Sequence, residues 1–292
     1  MPELPEVETI RQDLVKKILN KKIAHVEVVR DKAVGEMGKK FVQALVGNSI
    51  TAIHRRGKLL IAILKNSKDS LLIHLRMTGQ LIYEKEVKNK VEIVAGGHKM
   101  SEKDIENLPN KSTQVVIVFA DGAQLFFNDQ RRFGYMKLAS PETVAAALKK
   151  YGPEPLTKDF TEEHLKKIFT ARQNTTVKAV LLNQELIAGL GNIYVDEVCF
   201  CAGVRPQRRV KTVTASERKK IFNCIPKILK EAIRHRGTTF RNFLDSSGRE
   251  GNYTTFLRVY DRDGEPCRRC QTLIQKTNAA GRGTHFCPKC QK

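Results

Sequence analysis

Four cysteines close to the C-terminus, Cys267, Cys270, Cys287 and Cys290, form two Cys-x2-Cys pairs sixteen residues apart. Two such pairs can set four thiolates at the corners of a tetrahedron, and this spacing lies in the range of zinc ribbons. Four sulfurs leave the ion no open position, so one Zn2+ per chain is expected in a structural rather than hydrolytic role. Two disulfides are the other reading. The start Met1-Pro2-Glu3, however, lacks the basic and apolar regions of a secretory signal, and a reducing compartment disfavours disulfides. Cys199, Cys201 and Cys224 have no matching pair and are expected to pack as small apolar residues.

Upstream of this module the pattern changes once. Val7, Ile10, Leu14 and Ile18 lie on one helical face between Glu6 and about Leu19, with Pro5 just inside the start. Short β-type runs follow at 24–29, 49–54, 59–64, 71–74, 115–119 and 124–127, punctuated by Gly47-Asn48, Gly57 and Asp121-Gly122. They read as a mainly antiparallel sandwich or barrel. Residues 84–112 carry six Lys and six acidic residues with Gly96-Gly97, which reads as a loop-like insertion of neutral balance. Tyr151-Gly152-Pro153-Glu154-Pro155 opposes regular structure and reads as a linker. Beyond it, helices are expected from Thr161 to about Arg172, over 176–183, from near Asn192, and from Ser216 to Arg236 with a kink at Pro226. Residues 236–253 read as a Gly/Ser/Thr-rich loop.

A length of 292 residues gives a prior of about two domains. The expected class is α+β. Residues 1–150 form an N-terminal helix and β-sandwich, 151–255 a helical domain, and 256–292 the cysteine module.

Lys and Arg exceed Asp and Glu by a net charge of +21, and the excess is uneven. From Cys201 onward there are 21 Lys or Arg against 7 Asp or Glu. Such clustering points to a polyanion, most simply nucleic acid, with a solvated basic face as the plain alternative. No run of 18 apolar residues is present, which argues against a membrane span. A soluble cytoplasmic protein is expected.

Three further segments carry chemistry. Proline after an initiator methionine generally permits removal of Met1, leaving Pro2 with a free secondary amine. An α-amino group titrates near ~7.7–8.0 against ~10.4 for lysine, so far more of it is nucleophilic near pH 7. Attack on an aldehyde-like carbon gives an iminium, an electron sink for elimination. Glu3 and Glu6 stand beside it as candidate acid, base or positioning groups. Taken in isolation, a capped helix start is the plainer reading of the same residues. The turn Gly189-Leu190-Gly191 before Asn192 suits phosphate binding at a helix start, or a plain interhelical turn. With the helix before it, the segment is a helix–two-turn–helix candidate. Met77 and Phe133 read as core; Arg131 and Arg132, with Arg55, Arg56 and Lys58, read as a basic face.

Taken together, 1–9 (Met-Pro-Glu-Leu-Pro-Glu-Val-Glu-Thr), 189–197 (Gly-Leu-Gly-Asn-Ile-Tyr-Val-Asp-Glu) and 282–290 (Arg-Gly-Thr-His-Phe-Cys-Pro-Lys-Cys) resemble bacterial formamidopyrimidine-DNA glycosylase. Arg55-Arg56-Gly57-Lys58, the run from His74 to Gly79 and Arg131-Arg132-Phe133-Gly134 extend the match, in order, along the whole chain. The resemblance implies a bifunctional DNA glycosylase/AP lyase of base-excision repair that removes oxidised purines, chiefly 8-oxoguanine and formamidopyrimidines. Double-stranded DNA would lie in a basic cleft between a sandwich domain and a helical domain bearing the zinc ribbon. Pro2 would attack C1′ and Glu3 would assist base departure and ring opening. Lys58 and Arg282 would serve β- and δ-elimination. Met77, Arg131 and Phe133 would fill the hole left by the flipped nucleotide; Asn192, the ribbon loop and His74 would hold the backbone, with Glu6 grouped among the DNA-facing residues. The loop over 236–253 would cap the lesion. A monomer, associated with the nucleoid, is expected.

Departures from the family pattern are Ser112 and Gln114 where His-x-His is common, Gln130 for proline, and Arg236 and Asp261 for glycines. The alternatives are a pyrimidine-lesion glycosylase of the same superfamily and a non-catalytic DNA-binding protein.

Overall fold

Described in the computed structural model are residues 1–87, 90–97, 107–238 and 253–292. The chain divides into two compact units: Met1–Lys149 with the stretch starting at His235, and Lys150–Arg234 with Tyr253–Lys292.

In the first unit, α1 (Leu4–Ile18) presents Val7, Ile10, Leu14 and Ile18, all buried, to the core. Two sheets carry the rest of that core. One is five-stranded, in the order β1 (Ile23–Val28), β7 (Thr113–Phe119), β8 (Gln124–Asp129), β5 (Gly79–Val87) and β6 (Lys90–Gly97). The other is four-stranded, in the order β2 (Ile50–Arg56), β3 (Leu59–Leu64), β4 (Ser70–His74) and β9 (Tyr135–Ala139). All these pairings are antiparallel. Inner residues such as Leu60, Ile73, Leu81, Val115, Ile117 and Phe127 join α1 in one apolar cluster. Two short helices, α2 (Gly38–Leu45) and α3 (Pro141–Lys149), complete the unit.

The expected loop-like insertion is corrected in part. Residues 84–87 and 90–97 belong to the paired strands β5 and β6, with Glu84 paired to Ile93 and Gln80 to Gly97. Gly96 marks a close approach and not a turn: a Cβ there would lie 2.2 Å from Cγ1 of Ile10 on α1. Residues 98–106 of the insertion lie outside the described residues.

The second unit holds α4 (Glu162–Ala171), α5 (Val177–Leu182), α6 (Asn192–Ala202) and α7 (Ala215–Arg234). Thr161 caps α4 through His164 N–H at 3.1 Å, and Thr176 caps α5 through Ala179 N–H at 3.3 Å. Pro226 lies within α7. The expected linker is ordered against its own unit, with Gly152 N–H donating to the Gln184 carbonyl at 2.9 Å. One cysteine expectation is overturned. Cys201 on α6 and Cys224 on α7 form a disulfide, their Cα atoms 5.9 Å apart. The two helices pack together, and the fold brings a pair separated by 23 residues within bonding range. Cys199 is a buried free thiol, as expected, its pKa pushed up by burial.

The C-terminal hairpin pairs β10 (Gln275–Ala279) with β11 (Arg282–Phe286) across Ala280-Gly281, both at positive φ, as a type I′ turn requires. Cys267, Ile274 and Cys287 pack against Phe200 of α6. Among the described residues, no helix is long and apolar enough to cross a membrane.

Candidate functional site

Pro2 and Glu3 lie buried at the head of α1, while Met1 is exposed. Glu3 is the N-cap, and its N–H donates to Glu6 Oε2 at 2.9 Å. The other oxygen of Glu6 accepts the Thr238 N–H at 2.9 Å and the Thr238 hydroxyl at 3.2 Å. Glu6 is therefore wholly inside the protein (0% exposed), joining the head of α1 to the stretch that follows His235. Arg236 binds Asp13 of the same helix at 2.6 Å. Residues 239–252 of the expected capping loop lie outside the described residues.

Lys58 occupies the two-residue turn between β2 and β3 and is 6% exposed. Arg55, just before that turn, donates to the Gly57 carbonyl at 3.1 Å and to Glu8 of α1 at 2.9 Å. His74 lies opposite Leu59 on the neighbouring strand. Burial, then the charges of Arg76 and Lys58, push its pKa down to about 3. The ring is thus neutral at pH 7. Its Nδ1 accepts the Arg76 N–H at 3.0 Å, which leaves the ring proton on Nε2.

Met77, Arg131 and Phe133 stand together. Arg131 Nη1 is 3.1 Å from the Met77 sulfur, and its guanidinium lies 4.9 Å from the Phe133 ring centre. Met77 is 39% and Phe133 56% exposed, so the cluster projects outward instead of packing as core. Exposed apolar side chains held by a cation suit insertion between bases. Asp129, fully buried, holds the turn from beneath: it accepts the Thr78 hydroxyl, Arg131 N–H at 3.2 Å and Gly134 N–H at 2.6 Å.

In the second unit, Asn192 opens α6 and its side-chain N–H donates to the Gly283 carbonyl at 3.0 Å. That contact sets the helix start beside Arg282, which is exposed at the hairpin. Lys178 Nζ also reaches Gly283 O, at 3.2 Å, and pairs with Asp196 at 2.7 Å, both side chains fully buried.

The four cysteine sulfurs lie within 4.8 Å of one another. Cys267–Cys290 and Cys270–Cys287 sulfur separations are 4.0 and 3.5 Å. A tetrahedral zinc with bonds of about 2.3 Å spaces its sulfurs by about 3.8 Å, so the donor set and its geometry fit Zn2+. Backbone N–H groups of Arg269 and Cys290 approach Cys267 and Cys287 sulfurs at 3.4 Å, as suits thiolates.

Comparison with known proteins gives three family models in succession. The formamidopyrimidine-DNA glycosylase N-terminal domain matches residues 1–136 and its H2TH domain 151–243. A zinc finger found in FPG and IleRS matches 264–292. The formamidopyrimidine-DNA glycosylase of Carboxydothermus hydrogenoformans is 40% identical over 293 residues, covering all of both chains. The chain belongs to the formamidopyrimidine-DNA glycosylase family. By that membership it is a DNA-repair enzyme of the DNA glycosylase class. The enzyme of the same name from Listeria monocytogenes is 39% identical, again over the full length of both. A Lactococcus lactis Fpg solved with DNA containing an abasic site covers 99% of each chain, with a TM-score of 0.83 and 35% identity. A second Lactococcus lactis complex, with N7-benzyl-Fapy-dG DNA, gives 0.84 and 36% over all of both chains.

Several supporting residues escape a reading for motifs. Asp129 stands two residues before the motif that begins at Arg131, and an Asp at a strand end is a turn-forming signal. Asp196 and Glu197 close the family motif of α6. Glu197 is fully buried and accepts N–H groups of Arg258, Val259 and Tyr260 at 2.9–3.0 Å. Two acidic residues in an otherwise apolar helix were the available signal.

Proposed function

We propose that this enzyme is a bifunctional DNA glycosylase and AP lyase acting on oxidised purines, 8-oxoguanine and formamidopyrimidines, in double-stranded DNA. The observation that carries the reading is the head of α1: Pro2 next to a buried Glu3 whose backbone is fixed through Glu6. After loss of Met1, the Pro2 amine attacks C1′ and the bond from C1′ to the base breaks, with Glu3 assisting departure and ring opening. The resulting iminium draws electrons from C2′ once its proton is removed, and the 3′-phosphate leaves. Elimination of the 5′-phosphate follows, with Lys58 and Arg282 as the proton donors of the two steps. Met77, Arg131 and Phe133 fill the vacated stack and offset part of the cost of base flipping, a few kcal/mol. His74 Nε2–H, Asn192 and the ribbon hairpin hold phosphates. Glu6, being internal, acts as a positioning residue rather than on DNA. Cys267, Cys270, Cys287 and Cys290 hold Zn2+, which supplies rigidity to that hairpin. A monomer working on the cytoplasmic nucleoid fits this reading.

Borohydride should trap the protein on duplex containing 8-oxoguanine opposite cytosine, through Pro2. Equal trapping by Pro2→Gly, with Met1 removed, would overturn the chemistry. Binding without nicking of an abasic duplex would mark a non-catalytic protein. Preference for thymine glycol opposite adenine would mark a pyrimidine-lesion enzyme.

A further inference from the structure

Beside the cysteine cluster lies a second group of ligand-type side chains, Asp261, Asp263 and His285, whose ligand atoms fall within 4.8 Å of one another. The carboxylates are exposed and by themselves decide nothing. The histidine does. His285 is 4% exposed, and neither ring nitrogen has a hydrogen-bond partner among the described residues. An unsatisfied buried imidazole is costly unless something fills its valence.

Its surroundings indicate what. Nδ1 faces Asp196 Oδ2 at 3.4 Å, and that oxygen also accepts the His285 backbone N–H at 2.8 Å. Nε2 faces Asp263 Oδ1, also at 3.4 Å. Both separations are long for a hydrogen bond, and the one to Asp263 has a second reading. It matches two ligands of one ion, since a tetrahedral site with bonds of about 2.1 Å separates its donors by roughly 3.4 Å. With the Asp196 carboxylate behind Nδ1, a lone pair on Nε2 would give the carboxylate–histidine–metal arrangement once the Nδ1 contact closes to a hydrogen bond on binding an ion. The Tyr260 ring packs edge-on against the imidazole at 5.0 Å and limits its rotation. Lys276 Nζ, 3.5 Å from Asp263, opposes a cation, but its side chain is half exposed and can swing into solvent. Asp261 holds a left-handed backbone (φ +56°) that glycine adopts freely.

We propose that Asp261, Asp263 and His285 form a second metal site, distinct from the four cysteines, for a divalent first-row transition ion. One imidazole and two carboxylates with water completing the shell is a donor set for zinc-class ions rather than for calcium. Asp196 is its positioning residue. The site ties the 261–263 turn to β11 and thereby stiffens the hairpin that carries Arg282.

The test is titration of the full-length, zinc-loaded protein with Co2+, followed by absorption and by metal analysis after dialysis. Wild type takes up one further equivalent, with the intense visible d–d bands of tetrahedral cobalt in a nitrogen/oxygen shell and no thiolate-to-cobalt charge transfer, and retains its zinc. Asp261→Gly relaxes the backbone and keeps the fold, and Asp263→Asn preserves volume. Each weakens the added cobalt at least about tenfold while the zinc stays at one equivalent. The proposal is overturned if wild type binds no second ion, or if both variants bind cobalt as wild type does. It is equally overturned if the bound cobalt shows thiolate character with zinc released.

Discussion

Glu8 of α1 accepts a hydrogen bond from Arg55 Nε at 2.9 Å, and Arg55 in turn donates to the carbonyl of Gly57, next to Lys58. The helix that follows Pro2 and Glu3 and the turn that carries Lys58 are thereby held in register by one carboxylate. Burial raises the pKa of that carboxyl, but hydrogen bonds from Arg11 and Arg55 outweigh it and bring it down to about 2.

A carboxyl whose folded pKa is depressed stabilises the fold above its unfolded value, and that contribution is lost as pH falls through the folded value. The window for Glu8 therefore runs from about 4.5 down to about 2. Glu8→Gln should lower unfolding free energy at pH 7 by on the order of 1 kcal/mol, screening at a partly open site limiting the amount. Urea titrations of both proteins should converge as pH drops through that window. A difference that stays constant down to pH 2 contradicts the assignment.

Gly237 separates Arg236 from Thr238 at φ +80°, and a Cβ there would lie 2.5 Å from Glu6 Oε1. Alanine suffers both the left-handed backbone, about 1–2 kcal/mol, and displacement of Glu6 from Thr238. Gly237→Ala should reduce excision of 8-oxoguanine more than about tenfold, as expected for more than about 1.4 kcal/mol. Binding to undamaged duplex, measured by anisotropy, should change little. Equal losses in both assays would show general unfolding.

What the sequence made legible was what local chemistry dictates. The spacing of Val7, Ile10, Leu14 and Ile18 specifies an amphipathic helix whatever surrounds it, and the cysteine pairs specify their own cluster. What stayed hidden depends on partners far along the chain. Asp13 meets Arg236 across 223 residues and Thr78 meets Asp129 across 51, and neither pairing has a local signature. Arg236 in place of a glycine becomes intelligible only through its Asp13 pair. The β5–β6 pairing was masked because its charged residues dilute the alternation and Gly96 imitates a turn. Gly96 is small because Ile10 packs on it.

The Asp129 carboxylate anchors the turn bearing Arg131 and Phe133 through Thr78, Arg131 and Gly134, and Thr78 Oγ1 also accepts the Arg131 N–H at 2.9 Å. Asp129→Ala takes this acceptor from the Gly134 N–H and the Thr78 hydroxyl, at about 2–3 kcal/mol in chemical denaturation. Asp129→Asn keeps one acceptor oxygen and should cost less. Both should weaken binding to an abasic duplex beyond the stability loss, because the Met77–Arg131–Phe133 cluster is no longer held outward. Fluorescence of 2-aminopurine opposite the lesion reads that directly. Unchanged fluorescence in Asp129→Ala would show that the cluster orders itself.

The Cys201–Cys224 bond joins α6, which opens at Asn192, to the long α7. Closing a loop of 23 residues removes conformational freedom from the unfolded chain worth roughly 3 kcal/mol. Cys224 is buried, so the bond should resist mild reductant in the folded protein and yield once the helices open. The double variant Cys201→Ser, Cys224→Ser should therefore melt below oxidised wild type, and wild type unfolded and refolded in strong reductant should melt with it. Zinc content should be unchanged, because the four ribbon cysteines are a separate set. Thiol counting under denaturing conditions checks the bond itself: five free thiols are expected in the oxidised protein, matching Cys199 and the four ribbon cysteines, and all seven after reduction. Seven before reduction would mean that the two helices are held by packing alone.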